Sequence, residues 1–533
     1  MIQRARSMPV MYMVALLALF VCLCDGQGRP EQIHIAQGQD PSVMTVSWLT
    51  LTDDPAPSTC HEEAAVHYGY GESLAYTAYG TVAMMVADKL SKKGKKKGVT
   101  TRLSYVHTAR ITGLYPATRY WYQVGGQNNA NCSSGVFNFK TAPAYGEVSF
   151  AIFADFGVAM MGESITCLET DVKREAIDLV IHAGDIAYDL FGDMGRDGDT
   201  FLNNIEPVAS QVAYMVAAGN HEANDGFNQY TQRFRNMPAN SGTIFREEFG
   251  EAPNSWWYSF NAGLVHFVAI STEVFFIDSP ELMARQLAWL EGDLARANAD
   301  RSAHPWIVVF GHRPLYCSAK LKNCEVEPRV FRPQLANLFY EQGVDLYVSG
   351  HSHVYERMFD IAPGDLQNDT YTSGESTMST VDMPATTFVV SGVAGPDVAS
   401  DFNFPPLPRT AVRIAGKFGY GRVTVANRTH LLWEQVQCST AAKEGIVPPN
   451  IDEQWLVQNY HGPFGVPRTK TLMSRAATLI VAAAALAVGG GAYFLWSRKS
   501  TNRVDGQNAG AEDSQGLLRA LDGEDMYTAR QFR

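Results

Sequence analysis

Positive charge is in short supply. The 533 residues carry 43 Lys and Arg against 55 Asp and Glu, a formal net charge of −12 at pH 7. So acidic a chain lacks the basic footprint of a nucleic-acid binder, and nucleic acid is not an expected partner. Its one basic cluster, "SKKGKKKG" from Ser91 to Gly98, is broken by glycines and reads as a solvated loop. Internal repeats are absent, which argues against a solenoid or repeat array. Helical periodicity is missing from residues 27–143, so no bundle begins the chain. Cysteine is scarce too. Of eight, Cys22 and Cys24 belong to an N-terminal leader, leaving Cys60, Cys132, Cys167, Cys317, Cys324 and Cys438.

The long uncharged runs lie at the two ends. Residues 1–26 place Arg4 and Arg6 before "MYMVALLALFVC", the pattern of a cleaved signal peptide. Ala476 to Trp496 is 21 residues without a charge, the length that crosses a bilayer core. Tyr493 and Trp496 suit one interface, and Arg498 with Lys499 puts the C-terminal side in the cytoplasm. The polar tail 497–533 reads as disordered. These ends predict a single-pass type I membrane protein whose bulk is lumenal or extracellular. Six cysteines in that oxidising space predict disulfides. Cys317 with Cys324 would close a small loop, and Cys60 with Cys132 would staple the N-terminal domain, but sequence leaves the pairing open. Asn131, Asn368 and Asn427 are sequons.

A chain this long exceeds one ordinary core. From 27 to 143, "VMTVSWLT", "AAVHYGY", "YVHTARITGL" and "TRYWYQVGG" alternate β-branched and aromatic residues between turn signals. They predict an antiparallel β-sandwich. From 147 to 437, short apolar runs alternate with helix-like pieces, predicting a layered α/β domain. Ser279 and Pro280 open one helix, whose Met283, Leu287, Leu290 and Leu294 share a face. "RVTVANRTHLLWEQV" reads as a closing hairpin, and 438–475 as an irregular juxtamembrane stalk.

Polar residues follow the buried-strand candidates at once. "AIFADFG" gives Asp155, "VIHAGDIAY" gives Asp185 and Tyr188, and "MVAAGNHE" gives Asn220 and His221. "IVVFGHRP" gives His312, and "LYVSGHSH" gives His351 and His353. Any one alone is ordinary turn or core chemistry. In α/β sheets, however, the carboxyl ends of the strands converge on the site. Seven oxygen and nitrogen donors at one rim are too many for one metal and suit two sharing a carboxylate. With no thiolate among them, a closed structural zinc site is disfavoured. A phenolate favours a hard trivalent ion such as Fe(III), and Asn with two His suits Zn, Fe or Mn as divalent partner.

The five-block pattern resembles the calcineurin-like metallophosphoesterases and, within them, the purple acid phosphatases. Most of the superfamily has a histidine where this chain has Gly157, and the purple branch instead takes the tyrosine of "GDxxY", here Tyr188. "NNIEPVASQVAYMVAAGNHE", "WWYSFNAGLVHFVAISTEVFF" and "GHRPLYCS" are similar to animal-type members, and "EQIHIAQGQDPSVMTVSWLT" to the family's fibronectin-III-like domain. The resemblance covers roughly 30–437. It implies that Asp155, Tyr188 and His353 hold Fe(III), that Asn220, His312 and His351 hold the divalent ion, that Asp185 bridges, and that His221 faces the phosphate. Some plant-type members carry a candidate acid histidine pair where this chain has Leu321 and Lys322. The implied activity is hydrolysis of phosphate monoesters by a metal-bound hydroxide. A phosphodiesterase or nucleotide pyrophosphatase on the same centre is the alternative, and a non-catalytic adhesion protein the alternative of another class. Arg313 is a further candidate partner for phosphate.

Overall fold

The computed structural model describes residues 28–464 except 52–58, 91–95, 127–131, 159–161, 239–254, 321, 363–369, 372–378, 396–401, 403–404 and 439–446. The expected leader 1–26, span 476–496 and tail 497–533, with the sequons at Asn131 and Asn368, lie outside those residues. Among the described residues no helix is long and apolar enough to cross a membrane.

Seven antiparallel strands between Glu31 and Lys140 form the N-terminal sandwich. Alternation is visible in Arg119–Val124, where every second side chain is buried. Trp48, Tyr122 and Phe139 fill the core. The strand Tyr76–Leu90 serves both layers: Tyr76–Tyr79 pairs with Ala65–Tyr68, and Gly80 onward pairs with the strand Lys96–Thr112. The crossing point needs glycine, because a Cβ on Gly80 would overlap the Thr108 carbonyl. Part of the basic run read as a loop starts that partner strand, at Lys96.

Two seven-stranded mixed sheets follow. In the first, Leu179–Ala183 pairs in parallel with both Val148–Phe153 and Ala213–Ala217. In the second, Val265–Ala269, Trp306–Phe310, Leu346–Ser349 and Thr387–Ser391 run parallel. The sheets meet face to face, with Phe150 of one set edge-on to Phe267 of the other at 5.0 Å. The helix Pro280–Ala299 starts at its expected cap, where Ser279 Oγ accepts from the Leu282 amide, and buries Leu290 and Leu294. Arg332–Gln342 stops at Gly343 in the left-handed conformation. The fold class expected from sequence, a β-sandwich followed by a mixed-sheet α/β domain, is the one found.

One expectation is corrected. Residues 438–475 do not form only a stalk: Asn450–Val457 is a strand, antiparallel to His430–Gln437. Its Asp452 accepts from Arg357 Nε at 2.7 Å and Nη2 at 3.0 Å. The strand hides from pattern reading because its buried positions are Gln454 and Leu456, so apolar alternation is nearly absent. Three disulfides form, Cys60–Cys132, Cys167–Cys438 and Cys317–Cys324. Between sandwich and α/β domain, buried Arg233 donates to Gln32 at 3.0 Å and to the Gly195 carbonyl at 2.8 Å, and pairs with Asp199 at 2.9 Å. That contact holds the left-handed stretch Asp193–Gly195 at the start of the helix Gly192–Ala209.

Candidate metal centre

Parallel strands end on the same edge, and the residues singled out in the sequence follow those ends. Asp155 comes after Val148–Phe153, and Asp185 and Tyr188 after Leu179–Ala183. Asn220 and His221 come after Ala213–Ala217, His312 after Trp306–Phe310, and His351 and His353 after Leu346–Ser349. The turns are sharp. Asp155, Asp185, Tyr188 and His351 have φ of 62°, 54°, 51° and 65°, in the left-handed region that non-glycine residues avoid. Close approach explains two neighbouring glycines: a Cβ on Gly219 would overlap the Asp185 carboxylate, and one on Gly350 the Asp155 carboxylate.

Two groups result. In one, the Tyr188 hydroxyl lies 3.1 Å from Asp155 Oδ1 and 2.8 Å from His353 Nε2. In the other, His312 Nε2 lies 3.1 Å from Asn220 Oδ1, 3.2 Å from His351 Nδ1 and 3.2 Å from Asp185 Oδ2. Donor atoms of Asp185, His312 and His351 all fall within 4.8 Å of one another. The outer ring nitrogens decide the tautomers. His312 Nδ1 donates to the Ala183 carbonyl at 3.1 Å, and His351 Nε2 to Glu327 Oε2 at 2.9 Å. A bound cation would meet the lone pairs of both inner nitrogens; without one, Asp185 Oδ2 accepts from a protonated His312 Nε2 at 3.2 Å. Four acceptors with at most one proton among them repel, and a cation resolves that. The donor set fits a metal on each side.

Electrostatics agree. Burial alone would raise Asp185, but His312, His221 and His351 hold its carboxyl well below the usual range. Burial opposes charge on His312, yet Asp185 lifts it to about 10. Loading a metal on Nε2 must therefore displace a proton. His221 is half-buried, with Nδ1 2.8 Å from Asp189 Oδ1. Burial works against its charge, but the Asp189 hydrogen bond and the Asp185 carboxylate raise it to about 9.

Sequence reading passed over several carboxylates. Buried Glu222 accepts from the amides of Asp185 (2.9 Å), Ile186 (2.8 Å) and Gly219 (2.7 Å), tying two ligand turns together. Its signal was present in "GNHE" beside two chosen residues; Asp189 likewise follows Tyr188. Glu273 and Glu327 had no local signal. They also correct the expectation for Arg313. Its Nε and Nη2 donate to Glu273, each at 2.8 Å, and Nη1 donates to Glu327, so its guanidinium is committed to carboxylates rather than to phosphate. Lys322 is exposed and lies 3.3 Å from Glu327 Oε1; Leu321 lies outside the described residues.

Comparison with known proteins gives consistent matches. Residues 149–355 match the family described as calcineurin-like phosphoesterase, 30–141 the purple acid phosphatase N-terminal domain, and 385–443 the iron/zinc purple acid phosphatase-like protein C. Acid phosphatase type 7 of Homo sapiens is 32% identical over 448 residues, covering 81% of this chain and 92% of that protein. Its Mus musculus counterpart is 33% identical over 442 residues, covering 80% and 91%. Among solved structures, purple acid phosphatase PPD1 from yellow lupin (Lupinus luteus) seeds shares the fold, with a TM-score of 0.62 at 22% identity over 81% of this chain and 75% of that one.

Proposed function

Because the chain belongs to the purple acid phosphatases and is an acid phosphatase of the metallophosphoesterase class, we propose that it hydrolyses phosphate monoesters at a binuclear Fe(III)–M(II) centre. Asp155, Tyr188 and His353 would hold Fe(III), and Asn220, His312 and His351 would hold Zn, Fe or Mn as the divalent ion. Asp185 would serve both. When bound, the pair offsets the charge of the phosphate oxygens and acidifies the attacking water to hydroxide, which Fe(III) allows at low pH. The observation that carries the reading is the convergence of oxygen and nitrogen donors around His312 Nε2.

The side chains divide the remaining work. Asp189 fixes the His221 ring through Nδ1 and leaves Nε2, 3.9 Å from Asp185 Oδ2, on the site side. In acid His221 is an imidazolium, able to donate to a phosphate oxygen or the departing alkoxide. The Glu222 carboxylate keeps the Asp185 and Asn220 turns in register. The catalytic body in this reading runs from 147 through the strand ending at Val457, and the sandwich occupies 27–143. The leader 1–26 and the apolar run 476–496 make it a type I protein with its catalytic side lumenal or extracellular, in keeping with three disulfides.

The test is elemental analysis and a visible spectrum of the purified protein, with rates on a phosphate monoester and a bis-ester across pH. Two metals per chain, colour and an acid optimum on the monoester are expected. Preference for the bis-ester would make it a phosphodiesterase, and an iron-free active protein would remove the Fe(III) assignment.

A further inference from the structure

We propose that Glu327 is the positioning residue of the divalent half of the site, delivered to His351 by the short turn that directly follows the loop closed by the Cys317–Cys324 disulfide. The inference rests on the reading of His351 as a metal ligand. The loop and the turn after it each grip His351 once. Glu327 Oε2 lies 2.9 Å from the ring Nε2, and Asn323 Nδ2 donates to the His351 carbonyl at 3.4 Å. Both sulfurs of the disulfide lie against Ser352 Oγ, at 3.8 and 3.9 Å, between the two ligand histidines. A left-handed residue such as His351 stays in place only if its surroundings over-determine it. Ring, carbonyl and following residue are all held from one segment, 317–327.

Glu327 is itself fixed. It is 8% exposed, bonded by Arg313, and Arg313 is clamped by two bonds to Glu273 with its guanidinium 4.2 Å over the Phe276 ring. Glu327 Oε2 accepts from His351 Nε2 at 2.9 Å, closer than Arg313 Nη1, which lies 3.2 Å from the same nitrogen. That keeps the proton on Nε2 and the lone pair on Nδ1, 3.2 Å from His312 Nε2. A carboxylate behind a histidine ligand raises its basicity and fixes its ring, and loss of such a partner weakens metal binding about 10–100-fold. The rival role is structural: Glu327 could serve only to neutralise Arg313. Glu273 already does so through two bonds, so Glu327→Ala leaves Arg313 paired.

The experiment compares full-length wild type, Glu327→Ala and Glu327→Gln, each loaded with iron and Zn²⁺ and then dialysed against graded chelator. Iron and zinc are counted by elemental analysis, and melting temperature is recorded alongside. Glu327→Ala should release zinc at roughly 10–100-fold lower chelator concentration while iron stays. Glu327→Gln, which keeps an acceptor oxygen, should fall between, and excess Zn²⁺ should restore kcat in both. Wild-type zinc retention in Glu327→Ala overturns the proposal. So does parallel loss of both metals with a lowered melting temperature in both variants, the mark of a structural role. A wild type that binds neither metal is distinguishable from these outcomes; it overturns the metal-centre reading and this inference with it.

Discussion

Tyr188 has the most specific signature of any side chain in the site. A phenolate on Fe(III) gives a broad visible absorption that carboxylates, imidazoles and Zn²⁺ do not. Tyr188→Phe removes only the oxygen that meets Asp155 and His353, and its ring still packs edge-on to His221 at 4.7 Å. The variant should lose colour and iron yet keep its circular dichroism; unchanged colour would refute the assignment. Asp185→Ala should cost both metals by elemental analysis, since its carboxylate is the one assigned to both. The ligand candidates were legible because each stands close behind an apolar run, four of the seven directly after a glycine. Glu327 was not, because it reaches His351 from 24 residues away and nothing in "CEVEPRVF" marks it. Arg313 misled for the same reason: its carboxylate partners lie 40 and 14 residues off.

Strands carry the next set of consequences. Tyr355–Met358 begins two residues after His353, and Asp452 of the strand Asn450–Val457 holds its Arg357, with both side chains nearly buried. Removing one partner of a buried pair strands the other charge and costs about 3–5 kcal/mol. Asp452→Ala should therefore shift the urea midpoint strongly downward, and a chain cut at 449, which keeps the Cys167–Cys438 disulfide, should fail to accumulate folded where one cut at 464 succeeds. Equal stability of the two would show that the last strand is dispensable. The hairpin before it was readable from "RVTVANRTHLLWEQV", where alternation is strong on both sides of a turn. The last strand was not, since its inward face carries a glutamine. Gly80 was equally silent: sequence shows a glycine in a strand but not which carbonyl approaches it.

At the scale of the whole molecule, folding and activity are expected to be independent of the apolar run 476–496. The described fold ends at Phe464 and all three disulfides close within it. A truncated protein of residues 27–474 should be secreted, soluble and active on a phosphate monoester. A requirement for 476–496 would make that segment part of the working enzyme and overturn this division. Acid operation has a cost in the sandwich. Burial holds His107 down from 6.5 to about 4, against a lesser opposing bond to the Glu63 carbonyl. Its neutral form is the folded one, so the stability it contributes is complete above 6.5 and is lost as pH falls toward 4. The loss approaches about 3 kcal/mol. His107→Gln should flatten thermal stability across that window, and an unchanged pH dependence would place the acid sensitivity elsewhere.

The left-handed turns at Asp155, Asp185, Tyr188 and His351 bear on inheritance as well as chemistry. Each holds a side chain where the backbone disfavours one, at about 1–3 kcal/mol apiece. Glycine at any of these positions would relieve the strain and abolish a ligand in the same step. For a gene copy no longer selected to cleave phosphate, losing the centre is thus the energetically downhill direction of drift. Retention of the seven proposed donors is therefore what selection for catalysis, and not selection for stability, would favour.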